Sequence, residues 1–380
     1  MSCPLSLCGG LVALAILAGC ASPGPRQLVE PPTVTAWDLQ PSFMHDALAF
    51  LGVLSGDPFY TERYPDEFAH FDSLLTPTAR EAIQDLAQSV KEEGRIVSAH
   101  LTLVFSASEA ETLPEMQAVL DAPSSLREAF LATPYASDWP LFERNVPALR
   151  VALEWYAEID FPGYWDWEIR PQAEARIAEL APQLPALDVL GETAQLTGQP
   201  APLDTLTVYV LHFVKPHGIK ITGSRFLTAT TWPLSVVLPD AVHEMMHPPY
   251  DLSTDLELRA ALDRLRNDPF LMERIENHDP SLGYTTFEGF VEENVVQALE
   301  QVALERLGVD RDPRAHWCRQ DGGLHVLAAA LYHTMTEEGF VSSRESIRSF
   351  LVRETLSGAL QPGRLRAQYD SFYAGVSCES

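Results

Sequence analysis

The chain has 380 residues, and its 26 Lys and Arg residues stand against 53 Asp and Glu residues, so the formal net charge at pH 7 is −27. Hydrophobic residues make up 46% of the chain, which is enough for a full core and excludes wholesale disorder. The acidic excess argues against nucleic-acid binding and against anionic membrane surfaces, because phosphate groups are recognised by basic faces. The length favours about two domains.

The N-terminus resembles the signal peptide of a bacterial lipoprotein. Residues 11–18 form an apolar stretch that is too short to span a bilayer but suits the hydrophobic region of a signal peptide. The stretch ends in Leu17-Ala18-Gly19-Cys20, which resembles the lipobox, a motif whose cysteine is lipidated and becomes the first mature residue. We therefore expect a signal peptide over residues 1–19 and an exported protein anchored in the cell envelope only through a lipid on Cys20. Because Ala21, not Asp, follows the cysteine, the outer membrane, on its periplasmic side, is the expected destination.

The rest of the chain divides into three parts by composition. Residues 20–36 carry the lipidated cysteine and a proline-rich stretch without hydrophobic periodicity, which predicts a flexible linker. Residues 37–199 show mostly helical patterns and are predicted to form a helical N-terminal region. Residues 200–380 begin with strand-like runs and continue with helices, and they are predicted to form a separate C-terminal region.

The five cysteines fit an exported protein. Cys3 and Cys8 would leave with the signal peptide, and Cys20 would carry the lipid. Cys318 and Cys378 then remain as an even pair in an oxidising compartment, where a disulfide is expected. Two buried free thiols are the alternative.

Apolar residues recur at helical spacing through most of the N-terminal region. One segment, Ile96–Ser106, is instead rich in β-forming residues and predicts a strand. The aromatic cluster Phe161–Trp167 is expected to fill the core between helices rather than to line a groove. The predicted helices of this region are Phe43–Leu54, Pro77–Lys91, Pro114–Leu120, Leu126–Ala132, Val146–Ile159 and Gln172–Leu180.

The C-terminal region opens with two strand-like segments. Leu206–Val214 and Ser224–Trp232 are β-branched and aromatic runs joined by a turn that contains Gly and Pro, which predicts a β-hairpin. The protein is therefore expected to be α+β and mostly helical, with a small antiparallel sheet in its C-terminal region. The helices predicted after the hairpin are Pro239–His247, Leu256–Leu265, Pro269–Glu276, Thr286–Leu307, Gly322–Thr336 and Ser343–Glu354.

One motif carries chemistry, the H-E-x-x-H of residues 243–247. On a helix, side chains four residues apart share a face, so His243 and His247 can bind one Zn²⁺ while Glu244 deprotonates a water that the metal activates. Pro239 suits the first turn of such a helix, and Pro248 ends it. The alternative is a pair of polar histidines at a helix end without a metal.

A catalytic zinc site needs a third protein ligand, and the extension of the motif that metzincins use is absent. The predicted helix Thr286–Leu307 offers Glu288, Glu292 and Glu293. Its apolar residues cover most sides, so periodicity alone does not choose among the three carboxylates. Glu288 also lies three residues after Thr285, a spacing that is typical of a capping box.

These motifs resemble those of HExxH zincin metallopeptidases with a distal glutamate ligand (gluzincin-like). More narrowly, the chain is similar to a family of bacterial secreted proteins and lipoproteins of unassigned function. That family combines an H-E-x-x-H helix with Asn-Glu-x-φ-Val-Arg-Ala and Gly-φ-x-Tyr elements, where φ is apolar. The corresponding segments here are residues 292–298 (EENVVQA) and 323–326 (GLHV).

The resemblance implies roles for individual residues. It favours Glu293 as the third zinc ligand, ahead of Glu288 and Glu292. It also places His325 where the family pattern has Tyr, and a Tyr or His at such a position in zincins hydrogen-bonds the oxyanion of the tetrahedral intermediate. The alternatives for this last role are His333, further along the same helix, or no role beyond that of a surface or supporting histidine.

Together, motif and resemblance predict a zinc-dependent metallopeptidase that hydrolyses peptide bonds of a peptide or protein substrate. Residues 200–380, with the small antiparallel sheet and the H-E-x-x-H helix, are its expected zincin-like catalytic region. His243, His247 and Glu293 are the predicted ligands, and Glu244 is the predicted general base and acid. The alternative is a non-catalytic envelope module with a structural or vestigial metal site that binds a protein or peptide partner. Glu244 favours the enzyme, because a structural zinc site does not need it. G-x-S-x-G, C-x-x-C and P-loop motifs are absent, so other hydrolase, redox and nucleotide functions have no support.

Overall fold

Helices make up most of the protein, as the sequence predicts, and a small mixed sheet of four strands completes the α+β fold. The computed structural model describes residues 35–184, 187–200, 204–279 and 284–376. The predicted signal peptide, Cys20 and all but the end of the predicted linker lie outside the described residues. Within the described ranges, no helix is long and apolar enough to cross a membrane.

The helices divide into two groups along the chain. Those before the central strand of the sheet are α1 (Phe43–Leu54), α2 (Pro58–Thr61), α3 (Pro65–Asp72), α4 (Pro77–Glu92), α5 (Val97–Phe105), α6 (Leu113–Asp121), α7 (Ser124–Leu131), α8 (Trp139–Glu158), α9 (Phe161–Tyr164), α10 (Arg170–Leu180) and α11 (Val189–Thr197). Those after the sheet are α12 (Leu234–Met246), α13 (Leu256–Asp263), α14 (Pro269–Asn277), α15 (Phe287–Arg306), α16 (Pro313–Arg319), α17 (Val326–Glu337), α18 (Ile347–Ser357) and α19 (Leu365–Phe372). A π-helical turn, Trp165–Ile169, links α9 to α10.

The sheet contains β1 (Ala36–Gln40), β2 (Thr205–Leu211), β3 (Ile219–Ile221) and β4 (Arg225–Ala229) in the order β1-β2-β4-β3. β1 pairs in parallel with β2, with Ala36 opposite Thr205, and β2 pairs in parallel with β4. Because β1 and β2 are neighbours, the helices α1 to α11 form a long excursion between two adjacent strands. β3 is antiparallel to β4 and lies at the edge of the sheet.

The predicted hairpin between residues 206–214 and 224–232, and with it the antiparallel sheet, is wrong. These two segments contain β2 and β4, which run parallel. The reason is that the intervening segment holds a third strand, β3, so the chain reverses twice before β4 begins. The hairpin is formed by β3 and β4, and its turn contains Gly223 at φ +73°, a conformation that favours glycine.

The predicted strand Ile96–Ser106 is also wrong, because this segment forms helix α5. Nearly all of its residues are buried, Leu101, Val104 and Phe105 among them. α5 packs against α1 on one side and against β3 on another. A short run that is buried on most sides lacks the one-sided apolar stripe of a surface helix, so its β-branched residues suggested a strand.

The other predicted helices are present, and α1 agrees with the prediction at both ends. Helix α8 begins at Trp139 rather than Val146, and α12 begins at Leu234 rather than Pro239, which lies inside it. Helix α17 begins only at Val326 rather than at Gly322.

Apolar side chains form two large clusters. One contains α1 to α9 and receives Phe213 from the segment after β2. The aromatic residues Phe161 and Trp165 are buried in it, as the sequence predicts, whereas Trp167 is exposed. The other cluster lies between the sheet and helices α11 to α19, and α15 crosses its centre with most of its residues buried.

Cys318 lies on α16 and is disulfide-bonded. Cys378 and the remaining cysteines lie outside the described residues, so the pairing of Cys318 with Cys378 stays a prediction.

Candidate metal centre

The H-E-x-x-H motif lies at the C-terminal end of α12. His243 is in the last turn, and His247 is the residue that caps the helix, at φ −83° and ψ 133°. This extended conformation is the one that a residue before proline prefers, and the peptide bond to Pro248 is cis. Although His247 has left the helix, its Nε2 lies 3.2 Å from Nε2 of His243. The two imidazole rings therefore converge, with these nitrogens facing each other.

Glu293 of α15 completes a cluster of three groups. Its side chain is almost fully buried, with Oε1 3.6 Å from Nε2 of His243 and Oε2 3.5 Å from Nε2 of His247. α15 packs directly on α12, which brings this carboxylate over the end of the motif. Within the described ranges, His243, His247 and Glu293 are the one cluster of three or more His, Cys, Asp or Glu side chains whose ligand atoms lie within 4.8 Å of one another.

The donor set and its dimensions fit Zn²⁺. Zinc binds histidine nitrogen and carboxylate oxygen at about 2.0–2.2 Å in a tetrahedral arrangement, so neighbouring ligand atoms are separated by about 3.4 Å. The observed separations among the three groups are 3.2, 3.5 and 3.6 Å. Three protein ligands of this kind leave a fourth position open, as catalytic zinc sites do.

The outer ring nitrogen of each histidine, Nδ1, is hydrogen-bonded to a further carboxylate. Nδ1 of His243 donates to Oε2 of Glu300 at 3.0 Å, and Nδ1 of His247 donates to Oε1 of Glu292 at 3.3 Å. Glu300 in turn is ion-paired with Arg311. A proton on Nδ1 leaves the lone pair on Nε2, which is the tautomer that a metal needs at this position.

The carboxylates around His243 and His247 favour positive charge in the cluster. Burial lowers the pKa of His243, but the carboxylates of Glu293 and Glu300 outweigh it and raise that pKa to about 10. Burial also lowers the pKa of His247, but its hydrogen bonds to the carboxylates of Glu292 and Glu293 outweigh this effect and raise that pKa to about 9. Burial would raise the pKa of Glu293, yet the two imidazolium groups hold it well below its usual range. The carboxylates therefore favour positive charge between the histidines, which a divalent cation would supply.

Glu244 lies on the flank of this cluster. Its side chain is buried, and its charge acts on Lys220 of β3, on Tyr135 and on Asp240 of α12. Burial, with the added repulsion of Glu244, raises the pKa of Asp240 well above its usual range. Glu244 is adjacent to His243 in the sequence, and its carboxylate does not bond to either imidazole ring.

The residues that follow Glu293 organise the helices around it. The side-chain oxygen of Asn294 accepts from the backbone N–H groups of Leu327 and Ala328, at 3.1 and 3.0 Å, and so caps the N-terminus of α17. Gln297 donates to Oε1 of Glu293 at 3.1 Å and accepts from the indole N–H of Trp317 at 3.1 Å. These contacts explain why the segment 292–298 carries several polar residues on a buried helix.

His325 is the residue immediately before α17 and is buried. It acts electrostatically on Glu293, so its ring lies within electrostatic range of the carboxylate of the cluster. The predicted contact with an oxyanion is not tested by this arrangement and stays a prediction. His333, further along α17, is partly buried.

The other two carboxylates that α15 offers take different places. Glu288 is exposed and forms an ion pair with Arg266, away from the histidines. Its neighbour Thr286 caps the helix by accepting from the N–H of Gly289 at 3.1 Å. Glu292 reaches Nδ1 of His247 rather than Nε2. Of the three candidates, Glu293 is the one whose oxygens face both Nε2 atoms.

Sequence reasoning missed several residues of this region. Glu300 follows Glu293 by two helical turns, so a search for carboxylates on one face of the helix could have found it. Tyr135 comes from the segment between α7 and α8, and its hydroxyl donates to the backbone carbonyl of His247 at 3.5 Å. No sequence signal points to Tyr135 or to Lys220, because their proximity to Glu244 depends on contacts between distant parts of the chain.

Comparison with models of known protein families, with curated proteins and with solved structures finds no match for this chain.

Proposed function

We propose that this protein is a zinc-dependent metallopeptidase, exported and held at the cell envelope by a lipid on Cys20. The proposal depends chiefly on one observation: two histidine nitrogens and a carboxylate converge at separations that suit tetrahedral zinc, with a further carboxylate, Glu244, on their flank. Support for the location comes from the lipobox-like ending of residues 17–20.

His243, His247 and Glu293 would hold the zinc ion. When bound, zinc supplies Lewis acidity, which brings the pKa of a coordinated water toward about 7 and polarises a carbonyl group. Glu244 accepts a proton from the attacking water as the new C–O bond forms. The same carboxyl group then delivers that proton to the amide nitrogen as the C–N bond breaks, which yields a carboxylic acid and an amine.

Two side chains are candidates for stabilising the oxyanion of the tetrahedral intermediate. His325, within electrostatic range of Glu293, is the one that the sequence favours, and the hydroxyl of Tyr135, within electrostatic range of Glu244, is the one that the fold adds. A donor aimed at a developing oxyanion contributes about 10² to 10³ in kcat. The larger loss of kcat between H325A and Y135F therefore identifies the donor, provided that both variants retain zinc.

The test combines metal content with peptide hydrolysis. We expect about one zinc per chain in the wild type, loss of zinc in H243A, and retention of zinc with a loss of about 10² or more in kcat in E244Q. E288Q is the matched control, because it makes the same change at an exposed carboxylate that pairs with Arg266, and we expect wild-type behaviour from it.

Two outcomes would contradict the proposal. A wild type that binds no zinc would remove the metal site, and an E244Q variant that hydrolyses peptides as fast as the wild type would remove the mechanism. Zinc binding without hydrolysis of any peptide in the wild type would instead favour the non-catalytic envelope module.

A further inference from the structure

The edge of the sheet carries Lys220, whose side chain lies against α12. This residue lies in the middle of the edge strand β3, and its Nζ donates to the carbonyl oxygen of Gly223 at 2.5 Å and contacts Sδ of Met245 at 3.5 Å. Among the described residues, no carboxylate oxygen lies within ion-pair distance of this ammonium group. The chain has only three lysines among its 26 Lys and Arg residues, and Lys220 is the one that faces α12.

The ammonium group of Lys220 can bind an anion. It carries three N–H donors, and the two contacts above leave one of them available. Burial lowers the pKa of Lys220 to about 8, with Glu244 acting in the opposite direction and Arg225 adding to the decrease. A partly buried ammonium group without a close counter-ion would be stabilised by an anionic ligand.

Helix geometry locates this ammonium group relative to the metal cluster. With 3.6 residues per turn, Glu244 projects about 100° from His243 around α12, and Met245 about 200°. Because Nζ contacts Met245 and the carboxylate of Glu244 also acts on it, Lys220 lies on the flank of α12 that carries Glu244 and Met245. That position is too far round the helix for direct contact with a group bound between the histidines.

The proposed mechanism decides which part of a substrate lies on that flank. Glu244 passes its proton to the leaving amine, so the segment that follows the scissile bond must lie against Glu244. Whatever its sequence, one group of that segment is always anionic when the segment is short: the C-terminal carboxylate. One residue spans about 3.5 Å, so a leaving group of one or two residues would carry its carboxylate from Glu244 to the neighbourhood of Lys220.

We infer that Lys220 binds the C-terminal carboxylate of the substrate and that the protein is a carboxypeptidase, which removes one or two residues from the C-terminus of a peptide. This inference rests on the function proposed above. Lys220 is a specificity-determining residue in this scheme, and it takes no part in the proton transfers.

The test compares two peptides of the same sequence, one with a free C-terminal carboxylate and one with a carboxamide. For the wild type we expect kcat/KM to be at least about 30-fold higher for the free acid, since an unpaired buried charge is costly. K220M should reduce kcat/KM for the acid to the level of the amide, mainly through KM, and K220R should restore part of the preference. K91M is the matched control, because Lys91 is exposed and pairs with Asp57 at the surface, and it should keep the full preference.

A binding measurement tests the inference without turnover. In the zinc-loaded E244Q protein, we expect a dipeptide acid to bind at least about 10-fold more tightly than its amide, and the added K220M change should abolish the difference. Equal cleavage of acid and amide by the wild type would overturn the role of Lys220 but leave the metallopeptidase standing. If the protein binds the acid through Lys220 but cleaves neither peptide, the role of Lys220 would stand and the metallopeptidase proposal would be overturned. Equal binding of acid and amide would overturn the inference in either case.

Discussion

His243 and His247 each use both nitrogens of the ring. On each, Nε2 faces Glu293 and the other histidine, while Nδ1 donates to a carboxylate of α15. The motif itself was recognisable in the sequence, because its spacing is local to one helix. Of the carboxylates behind the rings, Glu292 was a candidate ligand and Glu300 was missed, and their contacts with Nδ1 depend on the packing of α15 on α12.

The two outer carboxylates differ in burial, which predicts different effects on zinc affinity. The Glu300 side chain is 5% exposed and paired with Arg311, whereas the Glu292 side chain is 36% exposed. We expect E300Q to weaken zinc binding by about 10- to 100-fold and E292Q to weaken it less, since water can replace an exposed partner. Competition with a chromogenic chelator measures both affinities, and E288Q is the control. An E292Q variant with the larger loss would contradict the expectation.

Among the secondary-structure elements, α1 is joined to the sheet by one buried carboxylate. Asp46 accepts from the backbone N–H groups of His212 and Phe213 at 2.9 and 2.8 Å, and from the indole N–H of Trp165 at 3.0 Å. Burial raises the pKa of Asp46, and these hydrogen bonds counter part of that rise. The carboxylate of Asp46 therefore joins α1 to the segment after β2, and each of these three N–H donors has an acceptor.

Removal of this carboxylate is expected to destabilise the fold. D46A leaves three buried donors without an acceptor, at about 1–3 kcal/mol each, so we expect the free energy of unfolding to fall by more than about 3 kcal/mol. D46N keeps one acceptor oxygen and should lose less. D85A, at an exposed position of α4, is the control and should be nearly neutral. Urea unfolding measures the three variants, and a loss below about 1 kcal/mol in D46A would contradict the argument.

The elements also show where periodicity succeeds. In α4, Ala79, Ile83, Leu86 and Val90 form one buried stripe with exposed residues opposite, so the sequence predicted the helix. α5 is buried on most sides and was predicted to be a strand. The segments that contain β2 and β4 do pair, as predicted, but their parallel direction was missed because β3, the strand between them, is only three residues long.

On the scale of the whole molecule, acid should weaken the fold through buried neutral histidines. Burial lowers the pKa of His45 to about 3 and that of His100 to about 4. Between these values and the unfolded value of about 6.5, the unfolded chain binds more protons than the folded protein, so stability rises with pH. The contribution of each group is present above pH 6.5 and is lost as the pH falls below it.

H100L isolates one of these contributions. Both ring nitrogens of His100 are buried without a hydrogen-bond partner, so an apolar side chain should fit there. At pH 5 the linkage amounts to about 2 kcal/mol for one such histidine. We therefore expect the wild type to lose about 2 kcal/mol more than H100L between pH 7 and pH 5 in urea unfolding. Zinc binding changes with pH in both proteins alike and cancels in the difference, and equal losses would contradict the assignment.

The sequence by itself determined the features that depend on neighbours in the chain. These are most of the helices and the position of the H-E-x-x-H motif at the end of one helix, whereas the lipid anchor stays a prediction. Each depends on residues within one or two turns, where the geometry of the backbone is nearly independent of the rest of the fold.

Only the tertiary structure decided which groups surround the motif. The packing of α15 on α12 turned Glu293 toward both Nε2 atoms and sent Glu288 to Arg266 at the surface. The order of the strands put Lys220 beside Glu244, and the long excursion between β1 and β2 brought Tyr135 to the backbone of His247. These contacts join residues far apart in the chain, and such pairs are selected by the packing of the whole core, which no local pattern encodes.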